Sequence, residues 1–410
     1  MNRRSLLLGA GGALAAGAGL AAWRFWPEQG FWNPCLAQLP PALANHELVR
    51  AAWEGLDAAQ VWDSHSHLVG TGDSGSGIVV NPKMHSLLNP GEYARRLFFL
   101  NAGCGHDAPG SVDRAYIERM RNLIDGLRPG VKLLLFAFER SYGAHGRPDP
   151  ARTGLWVPDA YARDTAKSHP RYFEWAASIH PYRADCVEAL GRAKSEGARA
   201  VKWLPAAMGM DPASPRCDRF FAALARLDVP LITHAGLERA VMGADIQDYG
   251  NPLRLRRALD AGVRVVIAHC ASLGQDRDLD KGENGPFVDS FLLLSRLFEE
   301  KRYEENLFGD ISAMTQVSRA GPWLAIVVER EEWHPRLLNG SDYPLPGVMP
   351  IFSVDYLVSL GLLRESAASV LKEIRSHNAL LFDFGLKRHL RSNGKALSKS
   401  VFETRPFFMR

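Results

Sequence analysis

Short apolar runs alternate with helical segments over most of the chain, and this alternation restricts the fold more than any other feature. Eight runs can be recognised: one begins at Val61, and the others lie at 131–138, 173–179, 198–204, 229–233, 263–268, 307–311 and 336–339. Such runs are typical of parallel strands that are buried on both faces. The sequence therefore predicts an α/β fold, a (β/α)₈ or TIM barrel, with a long insertion after the first strand.

The length of 410 residues accommodates one large barrel or two medium domains. We assign residues 61–386 to the barrel and residues 23–60 to a lead-in segment that is helical around 46–59. Residues 387–410 are interpreted as a basic, loosely packed surface tail. The glycine-rich stretch 70–77 lacks the Gly-Lys-Ser/Thr ending of a phosphate-binding loop, so we interpret it as a mobile loop.

Residues 1–22 have the pattern of a twin-arginine export signal. Arg3 and Arg4 precede Ser5 and three leucines, and a mild Ala/Gly/Leu segment ends near Ala22. This segment is shorter and richer in glycine than the roughly 20 strongly apolar residues of a spanning helix. The signal predicts a periplasmic or otherwise exported protein and the twin-arginine export machinery as a partner. An uncleaved N-terminal membrane anchor is the alternative.

Composition excludes some classes of function. An apolar content of 46% with 23% charged residues is that of a folded globular protein. The net charge of +4 is modest, and the absence of a long Lys/Arg run argues against nucleic-acid binding. The five cysteines have no C-x-x-C spacing, which argues against a cysteine zinc cluster or a disulfide framework. Their odd number leaves at least one unpaired within the monomer.

The first strand ends in two histidines, His65 and His67. Residues two apart in a strand share a face, so Asp63, His65 and His67 are expected on one side. Two imidazoles about 7 Å apart along a strand can converge on one cation at its end. Two surface histidines that follow a strand are the alternative, because short histidine pairs also arise by chance.

Three later strands also end in metal-ligating side chains. The fifth ends in His234, the sixth in His269 and the eighth is followed by Asp342. In a TIM barrel these positions meet at one end of the barrel. One histidine there is readily explained by packing, but five such residues are not. Imidazole and carboxylate ligands without thiolate suit zinc, iron(II) or manganese in an open catalytic site.

With these motifs the chain resembles the amidohydrolase superfamily, and more closely its amidohydrolase-related branch, which includes aminocarboxymuconate semialdehyde decarboxylase. The resemblance covers roughly residues 60–385. The motifs that carry it are Asp63-Ser64-His65-Ser66-His67, Val201-Lys202-Trp203-Leu204-Pro205, Ile232-Thr233-His234, Ala268-His269, Gly340-Ser341-Asp342-Tyr343-Pro344 and Ser376-His377-Asn378-Ala379. The fold that the resemblance implies is a distorted TIM barrel, in agreement with the strand count.

The resemblance also implies roles for individual residues. It implies that His65, His67 and His234 are metal ligands, and that Asp342 binds or borders the metal and takes a proton from water. His269 is implied to hold water or a substrate oxygen, or to bind a second metal. The implied cofactor is one divalent metal, zinc by preference. A metal of this kind lowers the pKa of bound water towards ~7, and a neighbouring carboxylate can accept the proton.

Lys202 and His180 are weaker candidates. In some members of the wider superfamily a lysine at the end of strand four is carboxylated and bridges two metals, so Lys202 is a candidate for a second metal or for substrate. Its alternative role is an ammonium group paired with a carboxylate. His180 ends the third strand and is a candidate substrate contact. Other polar side chains near strand ends are as readily structural; they are Glu139, Arg140, His145, Arg183 and Asp310.

The sequence thus favours a metal-dependent hydrolase that acts on an amide, lactone or ester carbon of a small molecule. A metal-dependent decarboxylase is the first alternative, because part of the same branch has that activity. A periplasmic binding protein with a vestigial barrel is the second, and it is disfavoured because all five site residues are present. The substrate pocket is expected to be shaped by loops 68–130 and 271–305. A homodimer is a further expectation.

Overall fold

The computed structural model describes residues 27–410. The export signal or anchor predicted at residues 1–22 lies outside the described residues. In the described part of the chain, every helix is too short or too polar to cross a bilayer.

Eight parallel strands form the barrel wall, and each strand predicted from the sequence is present. They are β1 (Trp62–His67), β2 (Lys132–Phe136), β3 (Phe173–Ala176), β4 (Val201–Trp203), β5 (Leu231–His234), β6 (Val265–Ala268), β7 (Leu307–Asp310) and β8 (Leu337–Leu338). Strands β1 to β3 form one parallel sheet, and strands β4 to β8 form a second in chain order. This order is the one that successive βα units produce.

Backbone hydrogen bonds join the two sheets at both seams and close the barrel. At the β3–β4 seam the bonds run from Ala177 N to Ala200 O (2.9 Å) and from Lys202 N to Ala177 O (2.7 Å). At the β8–β1 seam they run from Ser64 N to Asn339 O (3.0 Å), from Asp342 N to His65 O (2.8 Å) and from His67 N to Tyr343 O (2.8 Å). The second seam lies beyond the two residues of β8, so the chain that follows this strand completes the wall.

The helices surround the barrel and extend it at both termini. They are Pro41–Ala44, Glu47–Ala52, Pro90–Ala102, Val112–Asp125, Asp159–Ser168, Cys186–Ser195, Pro205–Met208, Asp218–Leu227, Arg256–Asp260, Ser290–Glu299, Pro322–Glu329, Val354–Ser359, Ala368–His377, Ala379–His389, Lys399–Phe402 and Arg405–Phe408. Two antiparallel pairs lie outside the wall: Val79–Val80 with Leu155–Trp156, and Gln275–Arg277 with Phe287–Asp289.

The insertion after β1 contains two helices. The packing of the second helix follows from its sequence pattern. Helix Val112–Asp125 begins at Ser111, whose hydroxyl accepts a hydrogen bond from Arg114 N. Its buried apolar residues recur three or four positions apart, as one face of a helix requires. These residues are Tyr116, Ile117, Met120, Leu123 and Ile124. Leu127 lies beyond the helix end, after Gly126.

The interpretation of residues 70–77 as a mobile loop is wrong. The buried carboxylate of Asp113 accepts hydrogen bonds from the backbone of Thr71 (2.7 Å) and from the hydroxyls of Ser74 (2.9 Å) and Ser76 (2.6 Å). A Cβ on Gly70 would lie 2.2 Å from the same carboxylate, so a residue without a side chain is needed there. The loop is therefore folded around one acid of the following helix.

One disulfide is present, contrary to the expectation from cysteine spacing. It joins Cys35 in the lead-in segment to Cys104 in the insertion after β1. The remaining cysteines, Cys186, Cys217 and Cys270, are buried and free. The two bonded residues are 69 positions apart, so no local sequence pattern predicts that they pair.

The interpretation of residues 387–410 as a loosely packed surface tail is also wrong. Lys387 belongs to helix Ala379–His389 and is buried, with its ammonium group 2.7 Å from Asp383 and 2.6 Å from the Gly340 carbonyl. Near the chain end, Phe407 and Phe408 pack into an apolar cluster inside the barrel. Its other members are Trp62, Leu134, Phe136, Ala176, Ala200, Ile232, Val266, Phe308 and Leu338. The tail therefore completes the barrel core.

We expect Phe407→Ala to lower the free energy of unfolding by about 3–5 kcal/mol, because it removes a buried aromatic ring and leaves a cavity. Met409→Ala is the matched control, since Met409 lies two residues away and is 47% exposed. Urea denaturation monitored by circular dichroism measures both variants. Equal stabilities of the two variants would contradict a structural role for the tail.

Candidate metal centre

His65 and His67 converge at the carboxyl end of β1. Their Nε2 atoms lie 3.2 Å apart, and both side chains line one cavity. The register of β1 shifts between Asp63 and Ser66, so the strict alternation expected from the sequence fails. Asp63 does not share the face of the histidines, and this expectation is wrong. Its Oδ1 atom instead accepts hydrogen bonds from His65 N (3.1 Å) and Ser341 N (2.8 Å).

Asp342 reaches the two histidines across the β8–β1 seam. Its Oδ1 atom lies 3.1 Å from His67 Nε2 and 3.4 Å from His65 Nε2. The seam is tight at Gly340, where an added Cβ would lie 2.5 Å from the Cβ of His65. Glycine at this position therefore allows the strand end to approach β1 closely.

These three side chains have the spacing of ligands to one metal ion. Two ligand atoms at about 2.0–2.1 Å from a zinc ion in tetrahedral geometry lie about 3.3 Å apart. The separations of 3.1–3.4 Å among His65, His67 and Asp342 match that value. The structure brings these three residues together, and their role as metal ligands stays a prediction.

Asp310 orients the ring of His65 through a hydrogen bond. Its Oδ2 atom lies 2.8 Å from His65 Nδ1, and both side chains are fully buried. The ring hydrogen therefore lies on Nδ1, and the lone pair of Nε2 faces the site. Burial lowers the pKa of His65 to about 4, so the imidazole is neutral. Burial alone would raise the pKa of Asp310, but the neighbouring His65 holds it below its usual range.

His269 borders the group from the end of β6. Its Nδ1 atom donates to the Ser312 carbonyl (2.9 Å), which leaves Nε2 without a hydrogen, 3.7 Å from Asp342 Oδ2. Burial lowers the pKa of His269 well below its usual value. The backbone at His269, Cys270 and Ala271 is left-handed, with φ of 55°, 46° and 46°. This unusual turn aims the ring of His269 into the site.

His234, at the end of β5, lies beside His269 with their ring centroids 5.3 Å apart. Its Nδ1 atom lies 3.2 Å from Glu238 Oε2, and burial lowers its pKa. Its Nε2 atom is buried and has no hydrogen-bond partner among the described residues. A buried nitrogen of this kind is costly unless a ligand satisfies it. The predicted role of His234 as a metal ligand remains a prediction with that observation behind it.

Lys202, from β4, is fully buried, and its ammonium nitrogen lies 3.1 Å from His65 Nε2. No carboxylate of residues 27–410 forms an ion pair with it, which contradicts the alternative of a paired ammonium group. Burial lowers the pKa of Lys202 to about 8, against the opposing effect of Asp310 and Asp342. Lys202 therefore lies where its side chain, as a neutral amine or as a carbamate, could bind a metal.

The remaining candidates lie outside the site. Both ring nitrogens of His180 are used by the backbone, Nε2 at 3.0 Å from Met208 O and Nδ1 at 3.1 Å from Tyr182 N. His180 does not line the cavity, so the structure does not bring it together with the other candidates. Glu139 forms ion pairs with Arg140 and Arg183 and belongs to a separate charged cluster.

A cavity of about 400 Å³ lies over the site and is lined by His65, His67, Lys202, His234, His269 and Asp342. The insertion after β1 supplies one wall, including Met84, Phe98 and Phe99. The expected loop 271–305 supplies only Leu273. Residues 238–242 and 344–351 supply much of the rest, so the expectation for this loop is wrong.

Three supporting residues were missed or undervalued in the sequence. Asp310 was ranked with structural residues, yet it orients His65 and accepts a hydrogen bond from His269 N (3.0 Å). Ser312 and Glu238 were not considered, although they hold His269 and His234. Glu238 follows His234 by four positions, a spacing that could have suggested it.

The donor set fits a divalent metal. Two imidazoles and a carboxylate converge, a third imidazole has an unsatisfied buried nitrogen, and the orienting partners place lone pairs towards the site. His65, His67 and Asp342 would hold the ion, with His234 or His269 beside them.

A family model described as amidohydrolase matches residues 62–382, which is most of the chain. The chain belongs to the amidohydrolase family. A comparison with curated proteins gave no match. The matched range begins in β1 and includes all the site residues described above.

Several solved structures are similar to this chain but distant from it in sequence. An uncharacterised TIM-barrel protein from Bordetella bronchiseptica is 16% identical, with 76% of this chain and 98% of that chain covered and a TM-score of 0.47. A putative 2-pyrone-4,6-dicarboxylic acid hydrolase from Pseudomonas putida is 16% identical, with coverages of 80% and 99% and a TM-score of 0.42. A 2,6-dihydroxybenzoate decarboxylase from Rhizobium is 13% identical, with coverages of 67% and 93% and a TM-score of 0.37.

We expect the purified protein to hold about one tight metal ion per chain, and His65→Ala, His67→Ala or His234→Ala to lower that content strongly. His180→Ala is the matched control, because it also removes a buried strand-end histidine but lies outside the site. Elemental analysis of the folded variants measures the content. A stoichiometry of two with activation by carbon dioxide would instead identify Lys202 as a carboxylated bridging ligand.

Proposed function

We propose that this protein is a metal-dependent hydrolase that uses metal-activated water on an amide, lactone or ester carbon. The observation that carries the proposal is the convergence of His65, His67 and Asp342 within 3.4 Å at the floor of a cavity of about 400 Å³. Membership of the amidohydrolase family supports the same class of chemistry.

One divalent metal, zinc by preference, is the proposed cofactor. When bound, such an ion lowers the pKa of a coordinated water and polarises a carbonyl group. Lys202 is the candidate ligand for a second ion, which we consider the alternative.

Asp342 is the proposed general base. Burial would raise its pKa, but His269, His65 and His67 hold the pKa well below its usual value, so the carboxylate is ionised. Its Oδ2 atom faces His269 Nε2 at 3.7 Å, which leaves an oxygen lone pair at the cavity floor. From there it can accept a proton from the attacking water and return it to the leaving nitrogen or oxygen.

His269 is proposed to position that water. Its Nδ1 hydrogen is committed to the Ser312 carbonyl, so Nε2 of the neutral ring can only accept a hydrogen bond. Because burial disfavours the protonated ring, a hydrogen bond from water to Nε2 is favoured over donation from Nε2 to a substrate oxygen.

We expect Asp342→Asn to fold and retain most of its metal, yet to lose about two to four orders of magnitude in turnover, because the amide oxygen cannot accept a proton. The loss should fall on kcat more than on KM, since proton transfer occurs only in the transition state. Steady-state kinetics on the best substrate from a screen of lactones, esters, amides and carboxylated aromatics measures it, with metal content determined in parallel. Near-wild-type turnover would remove Asp342 from the mechanism, and loss of metal would make it primarily a ligand.

Isotope analysis of the product tests the reaction class directly. Turnover in oxygen-18 water should place one labelled oxygen in the acid product of hydrolysis. Release of carbon dioxide without incorporation of label would instead support the decarboxylase alternative.

We also propose that the protein is exported by the twin-arginine route. The paired Arg3 and Arg4 support this proposal, and so does the disulfide between Cys35 and Cys104, because disulfides persist mainly in oxidising compartments.

We expect the double variant Arg3→Lys, Arg4→Lys to remain in the cytoplasm, because the paired guanidinium groups are part of the export address. Arg24→Lys, just beyond the predicted signal, is the matched control. Cell fractionation locates the protein, and titration of thiols after denaturation provides a second measurement. The exported protein should show three thiols, as Cys186, Cys217 and Cys270 are free. Normal export of the double variant would contradict the proposal.

A further inference from the structure

Arg319 is a buried cation for which residues 27–410 supply no ion-pair partner. It follows β7, lines the cavity over the metal centre and is only 8% exposed. Its one hydrogen bond to the described part of the chain is a long contact of 3.5 Å from Nη1 to the Ser272 hydroxyl. Within residues 27–410 it forms no ion pair. Burial accordingly lowers its pKa.

Another buried arginine of the same chain has hydrogen-bond acceptors for its guanidinium group. Arg375 is fully buried, and its guanidinium group donates to four backbone carbonyls. These belong to Pro346, Val348, Met349 and Phe352, at 2.9–3.3 Å. Because a buried charge without partners is costly, the contrast indicates that Arg319 receives its partner from a molecule in the cavity.

The neighbouring acids are occupied. Glu238 is the strongest electrostatic influence that raises the pKa of Arg319, but its carboxylate is used by His234 Nδ1 at 3.2 Å and by Ala240 N. Arg319 lines the same cavity as His234, His269 and Asp342. An anion bound to Arg319 would therefore share the cavity with the metal centre.

Most of the cavity wall is apolar. Aromatic and aliphatic side chains come from at least four separate segments, among them Phe98, Phe99, Leu155, Val241, Val348 and Ile351. The other cations of the lining are placed differently. Lys202 contacts His65, and Arg95 pairs with Glu92. Arg96 donates from Nε to the Met84 carbonyl (3.0 Å) and lies over the ring of Tyr93, and Arg239 is exposed. Arg319 is thus the most buried arginine of a lining that is otherwise largely apolar.

We propose that the substrate is an anionic amphiphile, with one carboxylate held by Arg319 in the same cavity as the metal centre and an apolar body held by the cavity wall. A guanidinium group binds a carboxylate through two parallel hydrogen bonds, and the Arg319 fork has donors free for them. The apolar body gains affinity by leaving water. This inference rests on the proposed function, since it names the substrate class of the same site.

Binding of simple probes to the zinc-loaded full-length protein tests the inference without any turnover. Dissociation constants of hexanoate, octanoate and decanoate are measured by calorimetry, with decanol as the neutral analogue. Each added methylene should tighten binding about threefold to fourfold. Decanoate should bind about 10- to 100-fold more tightly than decanol, the usual gain from a hydrogen bond to a charged group.

Variants assign the preference for the carboxylate to one residue. Arg319→Gln should remove the preference for decanoate over decanol and leave the dependence on chain length. Arg319→Lys, which keeps the charge, should retain part of the preference and shows that the effect is not one of misfolding. Arg239→Gln, an exposed arginine at the same cavity, is the matched control and should bind as the wild type does.

Three results would overturn the inference. A preference that survives in Arg319→Gln and disappears when zinc is removed would mean that the carboxylate binds the metal. A preference lost in Arg239→Gln would move the anion site to the mouth. Affinity that does not change with chain length would exclude the apolar body. If the probes bind as expected but no labelled oxygen enters a product, the proposed hydrolysis fails while the binding inference stands.

Discussion

The site depends on the seam where the last strand closes the barrel against the first. Three backbone hydrogen bonds cross this seam, and two of them involve His65 and His67 themselves. Asp63 adds a fourth link by accepting hydrogen bonds from both His65 N and Ser341 N. The candidate ligands His65 and His67 of β1 and the acid after β8 are therefore positioned by the same bonds that close the fold. The geometry of the candidate metal centre follows from barrel closure.

Burial keeps the histidines of this site in the form that can bind a metal. Low polarity keeps His65, His234 and His269 neutral, so that their nitrogens offer lone pairs to a metal. The hydrogen-bond partners on the opposite ring nitrogens then decide which lone pair faces the cavity. The same low polarity raises the free-energy cost of an unpaired cation such as Arg319. For this reason the position of Arg319 supports an anionic ligand.

The sequence predicted the strands, and it predicted that five polar side chains meet at one end of the barrel, because both depend on local patterns. An apolar run marks each strand, and a ligand directly after it must lie at the barrel end. The face of β1 on which Asp63 lies could not be predicted, because the bulge in β1 is set by its pairing with β2. Long-range pairs such as Cys35–Cys104, and the return of Phe407 into the barrel, leave no local pattern either. The separation of His180 from the other candidates could not be predicted, because its place at a strand end does not reveal that the backbone uses both nitrogens.

The two ends of the barrel have opposite physical roles. At the carboxyl end, non-glycine residues adopt left-handed backbone at His269, Cys270, Ala271, Ala313 and Asp342. Each such conformation costs of order 1–3 kcal/mol and persists only where the surroundings enforce it. At the amino end, the aromatic side chains of the chain terminus fill the barrel and add apolar burial. The packed end stabilises a wall that can hold the strained turns of the other end, and those turns aim His269 and Asp342 at the cavity floor. The C-terminal residues, far from the chemistry, are in this sense part of what the active site requires.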